Sequence, residues 1–372
     1  MIVRRLRIAL LMGASFLPSG LQRVFYRWFM GAHFGPNVRI GFLSIVNSRG
    51  AEIGSGTVIE GSVRIDAKTV RILGNCRIGR NVRIRASEFV MAWRSIVDES
   101  TSIQGDLDDV RSRYVMGMHS WVFPRCTIDL SRPVLLGRNA GIGGESLLFT
   151  HGQWLSQLHG FPVTYGAIQI KDDVWIPWSC FIMPGVTLGS RVVVGAGSIV
   201  TRSLAAGVLA AGVPAKVLRE VSSKELSIEE RQRLIGECVA SYANRFGLTV
   251  QTTEREEGIV HSVSDKPFIA YVTNAVAARD LWSRGIMSDL TLVDDAIDPD
   301  HSVLDFLPIC SVANGLCSRE RALSANALAF LLHARKIGFR YYPVDEYLES
   351  ERLLGLYRGD PEQGASERRP PA

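Results

Sequence analysis

From Ile170 to Val200 every sixth residue is a branched aliphatic: Ile170, Ile176, Ile182, Leu188, Val194 and Val200. Small or turn-forming residues follow several of them, as Pro177, Gly189, Gly195 and Thr201. A helix requires apolar spacings of three and four, and a half-buried strand alternates every two. A six-residue period fits neither. It fits a parallel β-helix, in which each hexad supplies one short strand and one corner, with the aliphatic pointing into the prism. Glycine or another small residue suits the corner, where the chain turns sharply. The same ruler fits upstream with slips. It runs through Ile40 and Val46, then Ile53, Ile59 and Ile65, then Ile72, Ile78, Ile84, Val90 and Ile96, and later Leu136, Ile142 and Leu148. Each slip implies an inserted residue or a loop. With three hexads to a coil, residues 37–205 hold roughly eight or nine coils, each rising about 4.8 Å.

This pattern divides the chain. Residues 1–35 read as an amphipathic helical segment broken at Pro18–Gly20, and residues 36–220 as the β-helix. Within the latter, 105–119 and 150–167 break the period and are expected to be loops, where function collects on a rigid scaffold. Residues 221–250 read as a helix and linker. Ser227-Ile-Glu-Glu230 has the form of a capping box, and Leu234, Ile235, Val239, Tyr242 and Phe246 share one side of the helix it opens. QTTEREE at 251–257 reads as linker. Residues 258–357 carry no hexads. Strands at Phe268–Val272, Leu290–Val293 and Phe339–Tyr342, with helices at Ala275–Arg284 and Leu323–Lys336, suggest a small α/β module to which the pattern assigns no role. Residues 358–372, rich in Pro, Arg and Glu, read as a disordered tail.

Composition refines this picture in three places. An apolar content of 47% over 372 residues supports a sizeable core, and a net charge of +5 is too mild to argue for a nucleic-acid partner. The six cysteines are scattered without a CxxC or Cys/His metal spacing. They read as buried thiols in a reducing, cytoplasmic compartment, and Cys180, between Ile176 and Ile182, is not required in the core. The charge is uneven: no Asp or Glu precedes Glu52, while Arg4, Arg5, Arg7, Arg23, Arg27, Arg39 and Arg49 do. The uncharged run Ile8–Leu17 falls short of the about 20 residues a bilayer span needs. Three readings stay open for residues 1–35: a cap on the end of the β-helix, a helical hairpin lying peripherally on the inner face of the cell membrane, or a cleaved signal.

Three motifs carry a family resemblance. They are Met183-Pro-Gly-Val-Thr-Leu-Gly189, Val194-Gly-Ala-Gly-Ser-Ile-Val-Thr-Arg202 and Ala211-Gly-Val-Pro-Ala-Lys-Val-Leu-Arg219. This run closely resembles the C-terminal coils of the hexapeptide-repeat acyltransferases, in the sugar and polysaccharide O-acetyltransferase branch. Gly31 to Gly41 is similar to the entry segment of the polysaccharide-modifying members. The resemblance covers residues 20–220 and is most specific over 170–219. It implies a left-handed parallel β-helix and a homotrimer. It also implies transfer from acetyl-CoA, held between neighbouring subunits, to a sugar hydroxyl in cell-surface polysaccharide biosynthesis, with no metal.

That chemistry needs a base, because an alcohol is a poor nucleophile at neutral pH. The position matching the family's histidine is His151, following Phe149-Thr150 and opening the 150–167 excursion. His159, in the same excursion, is the alternative base or a substrate contact. His119 is expected to face the acceptor from a neighbouring subunit. Trp154 and Trp121 are aromatic faces suited to a sugar ring. Residues 152–170 contain no Asp or Glu, so a carboxylate orienting the histidine must be Glu145, Asp129 or Asp172, unless a backbone carbonyl serves. By the resemblance, an amide near Trp178 or Ser179 stabilises the oxyanion, although Pro177-Trp178 departs from the usual small pair. Arg202, Lys216 and Arg219 match the family's basic positions for CoA phosphates, and Ala196 and Thr201 its pantetheine and adenine contacts. Trp175 reads as packing.

Other readings remain. His119, His151 and His159 supply the number of ligands for a γ-carbonic-anhydrase-like zinc site but lack its close pairing. An N-acyltransferase of a nucleotide sugar uses the same fold, and a non-catalytic trimeric scaffold needs no chemistry at all.

Overall fold

The structure is a computed structural model that describes residues 2–355 and 357 except 153–154, 222, 224–225, 255–257, 264–265, 273–287, 289, 294–308, 312–315, 319–322, 324–326, 328–329, 332–333 and 335–340. It divides into two compact units, Met1–Ser222 with Ser350–Ala372, and Ser223–Glu349.

In the first unit, all six aliphatics from Ile170 to Val200 are no more than 1% exposed. They lie on short strands that stack in parallel as a left-handed β-helix. Each strand pairs with its counterpart one coil away. Leu136 pairs with Ile170 and Ile170 with Leu188 on the first face. Val122 pairs with Ile142 and Ile142 with Ile176 on the second. Ile128 pairs with Leu148, Leu148 with Ile182 and Ile182 with Val200 on the third. The second face ends in an antiparallel hairpin, Val208–Gly212 with Ala215–Glu220.

The hexad has a second inward position, two residues before each aliphatic mark. Ala51, Thr57, Cys76, Ser95, Ser120, Cys126, Ala140, Ser146 and Cys180 occupy it and are at most 1% exposed. Cys180 is therefore a core residue, contrary to the reading of the hexad as having one inward site. The buried hydroxyls there are satisfied from the next coil: Ser95 Oγ donates to Gly117 O at 2.7 Å and Ser120 Oγ to Gly137 O at 2.7 Å. Burial without such partners would cost about 1–3 kcal/mol each.

One expected register fails. Val90 and Ile96 are not the inward residues; Phe89, Met91 and Val97 belong to the core cluster instead. The cause is the long strand Arg83–Met91. Its start pairs with Ser102–Gln104 on the third face and its end with Arg113–Met116 on the first. It rounds the corner as one strand, and the alternation shifts by one residue on the way.

Helices α1 (Ile2–Ala14) and α2 (Ser19–Met30) precede the coils. Gln22, Tyr26 and Met30 form the buried stripe of α2, and Leu11, Tyr26 and Met30 join the same hydrophobic cluster as the coils. Tyr26 Oη accepts the Val46 N–H at 3.1 Å, and Gln22 Nε2 donates to Leu17 O at 2.8 Å. Gly31 ends α2 at φ +64°, a left-handed value that glycine adopts without strain. No helix among the described residues is long and apolar enough to cross a membrane.

The second unit opens with α3 (Ile228–Phe246), whose capping box forms as expected between Ser227 and Glu230. Ile235, Val239 and Tyr242 pack with Ile269, Tyr271 and Leu290. The polar stretch expected as linker is in part a strand: Val250–Glu254 pairs with Gly258–Val263. Cross-strand hydrogen bonds to Gly258–Val263, whose Val260 is buried, hold this strand although Gln251–Glu254 are polar. Lys266–Val272, Leu290–Val293 and Ile309–Ser311 run parallel in the same sheet. Cys310 and Cys317 are joined by a disulfide, which corrects the expectation of six thiols; a strand pairing places them opposite one another. The helix expected at Ala275–Arg284 and the tail at 358–372 lie outside the described residues.

Candidate active site

The corner between the third and first faces carries the excursion. Leu147–Leu148 ends the third-face strand, and the chain then leaves the coil as a hairpin. His151–Gly152 pairs antiparallel with Thr164–Tyr165. Between these strands lies a 3₁₀ turn, Gln157–His159, capped by Ser156. Ile168 then resumes the coil against Val134.

His151 sits at the foot of this hairpin, its side chain 35% exposed. Its Nδ1 lies 2.9 Å from Asp129 Oδ2 and 3.1 Å from Ser131 Oγ. The Ser131 hydroxyl donates to Asp129 Oδ1 at 3.0 Å, and the Thr150 N–H donates to Asp129 Oδ2 at 3.1 Å, with the Thr150 hydroxyl on the same oxygen. An ionised carboxylate only accepts. The network therefore assigns the proton to His151 Nδ1 and leaves Nε2 with its lone pair. Burial pushes the Asp129 carboxyl up, but hydrogen bonds from Thr150 and His151, with the charge of His151, outweigh it and hold the group below the usual carboxylate range. Of the three carboxylates considered, Asp129 is the one on the histidine. Glu145 pairs with Arg125 at 2.8 Å, and Asp172 with Arg138 at 2.8 Å.

The ring of His151 stacks with Tyr165, centroids 6.2 Å apart at 29°. Arg132 lies over the other partner of that stack, 4.2 Å from the Tyr165 centroid. Ser131, Arg132 and Tyr165 also line a cleft of about 310 Å³ with Asp106, Asp109 and Arg111 from the 105–112 loop. Asp129, Ser131, Arg132 and Tyr165 were not singled out as a group by sequence. The available signal was register: Ile128 and Leu148 pair across one coil, which sets Asp129 beneath Phe149.

The other expected site residues fall in distinct places. Trp178 and Ser179 form the corner between the second and third faces. Ser179 N–H donates to Gly144 O at 2.9 Å, and Gly197 N–H donates to Trp178 O at 3.0 Å, so this turn stacks beneath Ala196–Gly197. Lys216 pairs with Ala211, and Gly195 N–H donates to Ala210 O, which brings Lys216 toward the same corner. Arg219 pairs with Leu209, further along the second face. Thr201 and Arg202 follow the strand Ile199–Val200 and lie two coils above the Leu148 exit on the His151 corner. Ala196, Thr201, Arg202, Lys216 and Arg219 are all exposed. One third-face strip thus runs between the two corners.

Trp178 is 39% exposed and packs against Phe123, centroids 5.0 Å apart. Phe123 in turn stacks on Trp121 and meets Trp175 edge-on. Ser179's own amide is engaged in the coil, so it is not the oxyanion donor that the resemblance suggested. His159 is exposed in the hairpin, and Trp154 lies outside the described residues. His119 is 3% exposed, at φ +58°, and its N–H donates to Trp93 O at 2.9 Å. It belongs to the corner between the first and second faces. The structure does not bring it to His151 within the protomer, so the histidines form no zinc site there. No cluster of three metal-ligating side chains is present among the described residues.

Known proteins resemble this coil stack. The chain is 44% identical over 69 residues to the galactoside O-acetyltransferase of Escherichia coli (strain K12), covering 18% of this chain and 32% of that protein. It is 30% identical over 152 residues to the putative colanic acid biosynthesis acetyltransferase WcaF of the same organism, covering 41% of this chain and 72% of that protein. The chain belongs to the hexapeptide-repeat acetyltransferase family. It spans about a third of the galactoside relative's length. No family model matches it. Among solved structures, the UDP-N-acetylglucosamine acyltransferase from Campylobacter jejuni is 17% identical, with a TM-score of 0.41, over 55% of this chain and 77% of that one.

Proposed function

We propose that this protein transfers an acetyl group from acetyl-CoA to a sugar hydroxyl of a cell-surface polysaccharide or its precursor, with His151 as general base. The observation that carries the reading is the 2.9 Å contact between His151 Nδ1 and Asp129 Oδ2 on a half-exposed ring. It fixes the tautomer in which Nε2 accepts a proton. His151 Nε2 removes the hydroxyl proton as the sugar oxygen bonds to the thioester carbonyl carbon. Asp129 steadies the imidazolium that forms. The C–S bond then breaks, and the imidazolium returns the proton to the departing thiolate. With the Ser179 amide engaged, Trp178 N–H is the backbone donor left at that turn for the oxyanion.

The chain's residues suit CoA. Lys216, Arg202 and Arg219 are exposed cations for its phosphates, and Ala196 leaves room for the pantetheine arm at the same corner as Trp178. Exposed apolar residues on the excursion, Leu158 at 95% and Phe161 at 45%, suit cover by a second copy. This supports a homotrimer in which the cofactor lies between protomers. The acceptor enters at the cleft beside Tyr165, where His159 and Trp154 belong to the same excursion.

The test is to incubate the protein with acetyl-CoA and a panel of glycans, follow thiol release, and identify the product by mass spectrometry. Acetyl-ester formation that His151→Ala removes is the expected result. Thioester cleavage with no glycan dependence, or an acetamide product, would overturn the assignment.

A further inference from the structure

The first helices separate charge from hydrocarbon in a way that the reaction does not require. From Leu6 through the turn that follows α1 to Leu17, the exposed side carries only uncharged residues, including Leu10 at 41% and Phe16 at 60% exposed. On α2, Leu21, Val24 and Trp28 recur at helical spacing on the outer side, and Trp28 is 85% exposed. Phe16 meets Phe42 edge-on at 5.3 Å, so the apolar surface continues onto the first coil. A contiguous apolar face of this kind marks a docking surface.

Arg7 and Arg23 lie on the side of these helices that meets the coils, one turn from the buried Leu11 and Tyr26. A cavity of about 410 Å³ is lined by Arg7, Arg49, Lys68 and Arg85 against one carboxylate, Asp108, which bridges to Lys68 at 3.0 Å. Arg7 Nε is buried and has no hydrogen-bond partner among the described residues. Arg23 Nε, in a second recess with Arg39, is likewise buried without one. A cavity lined by three guanidinium groups and an ammonium group matches the oxygens of a phosphate.

We propose that this face docks on an anionic phospholipid bilayer. The apolar side chains enter the boundary between headgroups and acyl chains, and the cavity at Arg7, Arg49 and Arg85 receives a lipid phosphate. Charge decides between a bilayer and a second copy. Seven arginines and no acid precede Glu52, so pairing this segment with itself sets like charges together, whereas anionic headgroups neutralise them. The inference goes beyond the proposed reaction and does not depend on it.

The experiment uses the full chain, sedimented with phosphatidylcholine vesicles with and without phosphatidylglycerol. Binding only when phosphatidylglycerol is present, weakened by salt, is expected. The surface variant Leu21→Ser/Val24→Ser/Trp28→Ser should lose about tenfold or more in vesicle affinity with an unchanged melting temperature. Arg49→Gln/Arg85→Gln should lose a comparable factor. Acetyl transfer to a soluble glycan should persist in both, which separates this inference from the catalytic one. Equal binding to neutral vesicles, or none to either, overturns the proposal. So does a serine variant that dissociates an oligomer while vesicle binding stays intact, since the face is then a contact between copies. Saturation by inorganic phosphate without vesicle binding overturns it as well, and an unaffected arginine variant removes the headgroup pocket.

Discussion

Two histidines occupy two corners of one prism and have opposite surroundings. His119 lies at a corner that carries no insertion of its own and is 3% exposed. The His151 side chain lies where the chain leaves the coil, and it is 35% exposed with a carboxylate on Nδ1. The coil itself is alike at both corners. The difference comes from the excursion, which lifts the backbone off the stack and frees one side of a ring whose other side the previous coil still holds. The stacked corner buries the His119 side chain; the insertion at the other corner creates the space that His151 occupies.

The comparison can be broken most directly at His151. His151→Ala should lower kcat by about 10²–10⁴-fold, while calorimetry shows CoA binding retained. A variant with near-wild-type turnover would remove the base from this corner. A cut into the prism below should do the reverse. Ile142→Ala, at 0% exposure, should cost about 2–5 kcal/mol in denaturant unfolding, with kcat per folded molecule preserved.

Asp129→Asn tests whether the previous coil truly orients the ring. It should lower kcat by about tenfold or more, and shift the pH profile of kcat, because an amide can offer either a donor or an acceptor to Nδ1. The sign of its stability effect follows from linkage. The Asp129 carboxyl is held below the usual range in the fold. Its contribution is therefore fully present above the unfolded value of about 3.9 and is lost as pH falls through the lower folded value. The gap in melting temperature between wild type and Asp129→Asn should be widest near neutrality and should close below about pH 4. A gap that widens in acid would contradict the hydrogen-bond network. The smallest effect is expected at the other corner: His119→Asn, which tolerates the left-handed backbone, should leave kcat within about twofold.

Legibility followed the range of the interaction. The aliphatic marks from Ile170 to Val200 were readable because each strand's inward residue is set within its own hexad. The second inward position was harder to see, since Ala, Cys, Ser and Thr at Ala51, Cys76, Ser95 and Thr57 share size rather than hydrophobicity. The slip at Val90 was illegible because a strand that rounds a corner shows no break in its sequence. The 150–167 excursion stood out by its missing period, and with it His151, but the partner did not. Asp129, Glu145 and Asp172 are equivalent as residues, and only coil stacking distinguishes them.

The chain alone, through its six-residue recurrence, determined that there is a prism, which aliphatics fill its regular runs and where it is interrupted, because these depend on a few neighbours at a time. The folded stack decided which interruption meets which coil. A coil can gain residues at a corner without disturbing its own strands, so the distance from Asp129 to His151 depends on every insertion between them. The same holds for the N-terminal helices: their hydrophobicity is written locally, but which side stays uncovered is settled when Tyr26 and Met30 seat against the first coils.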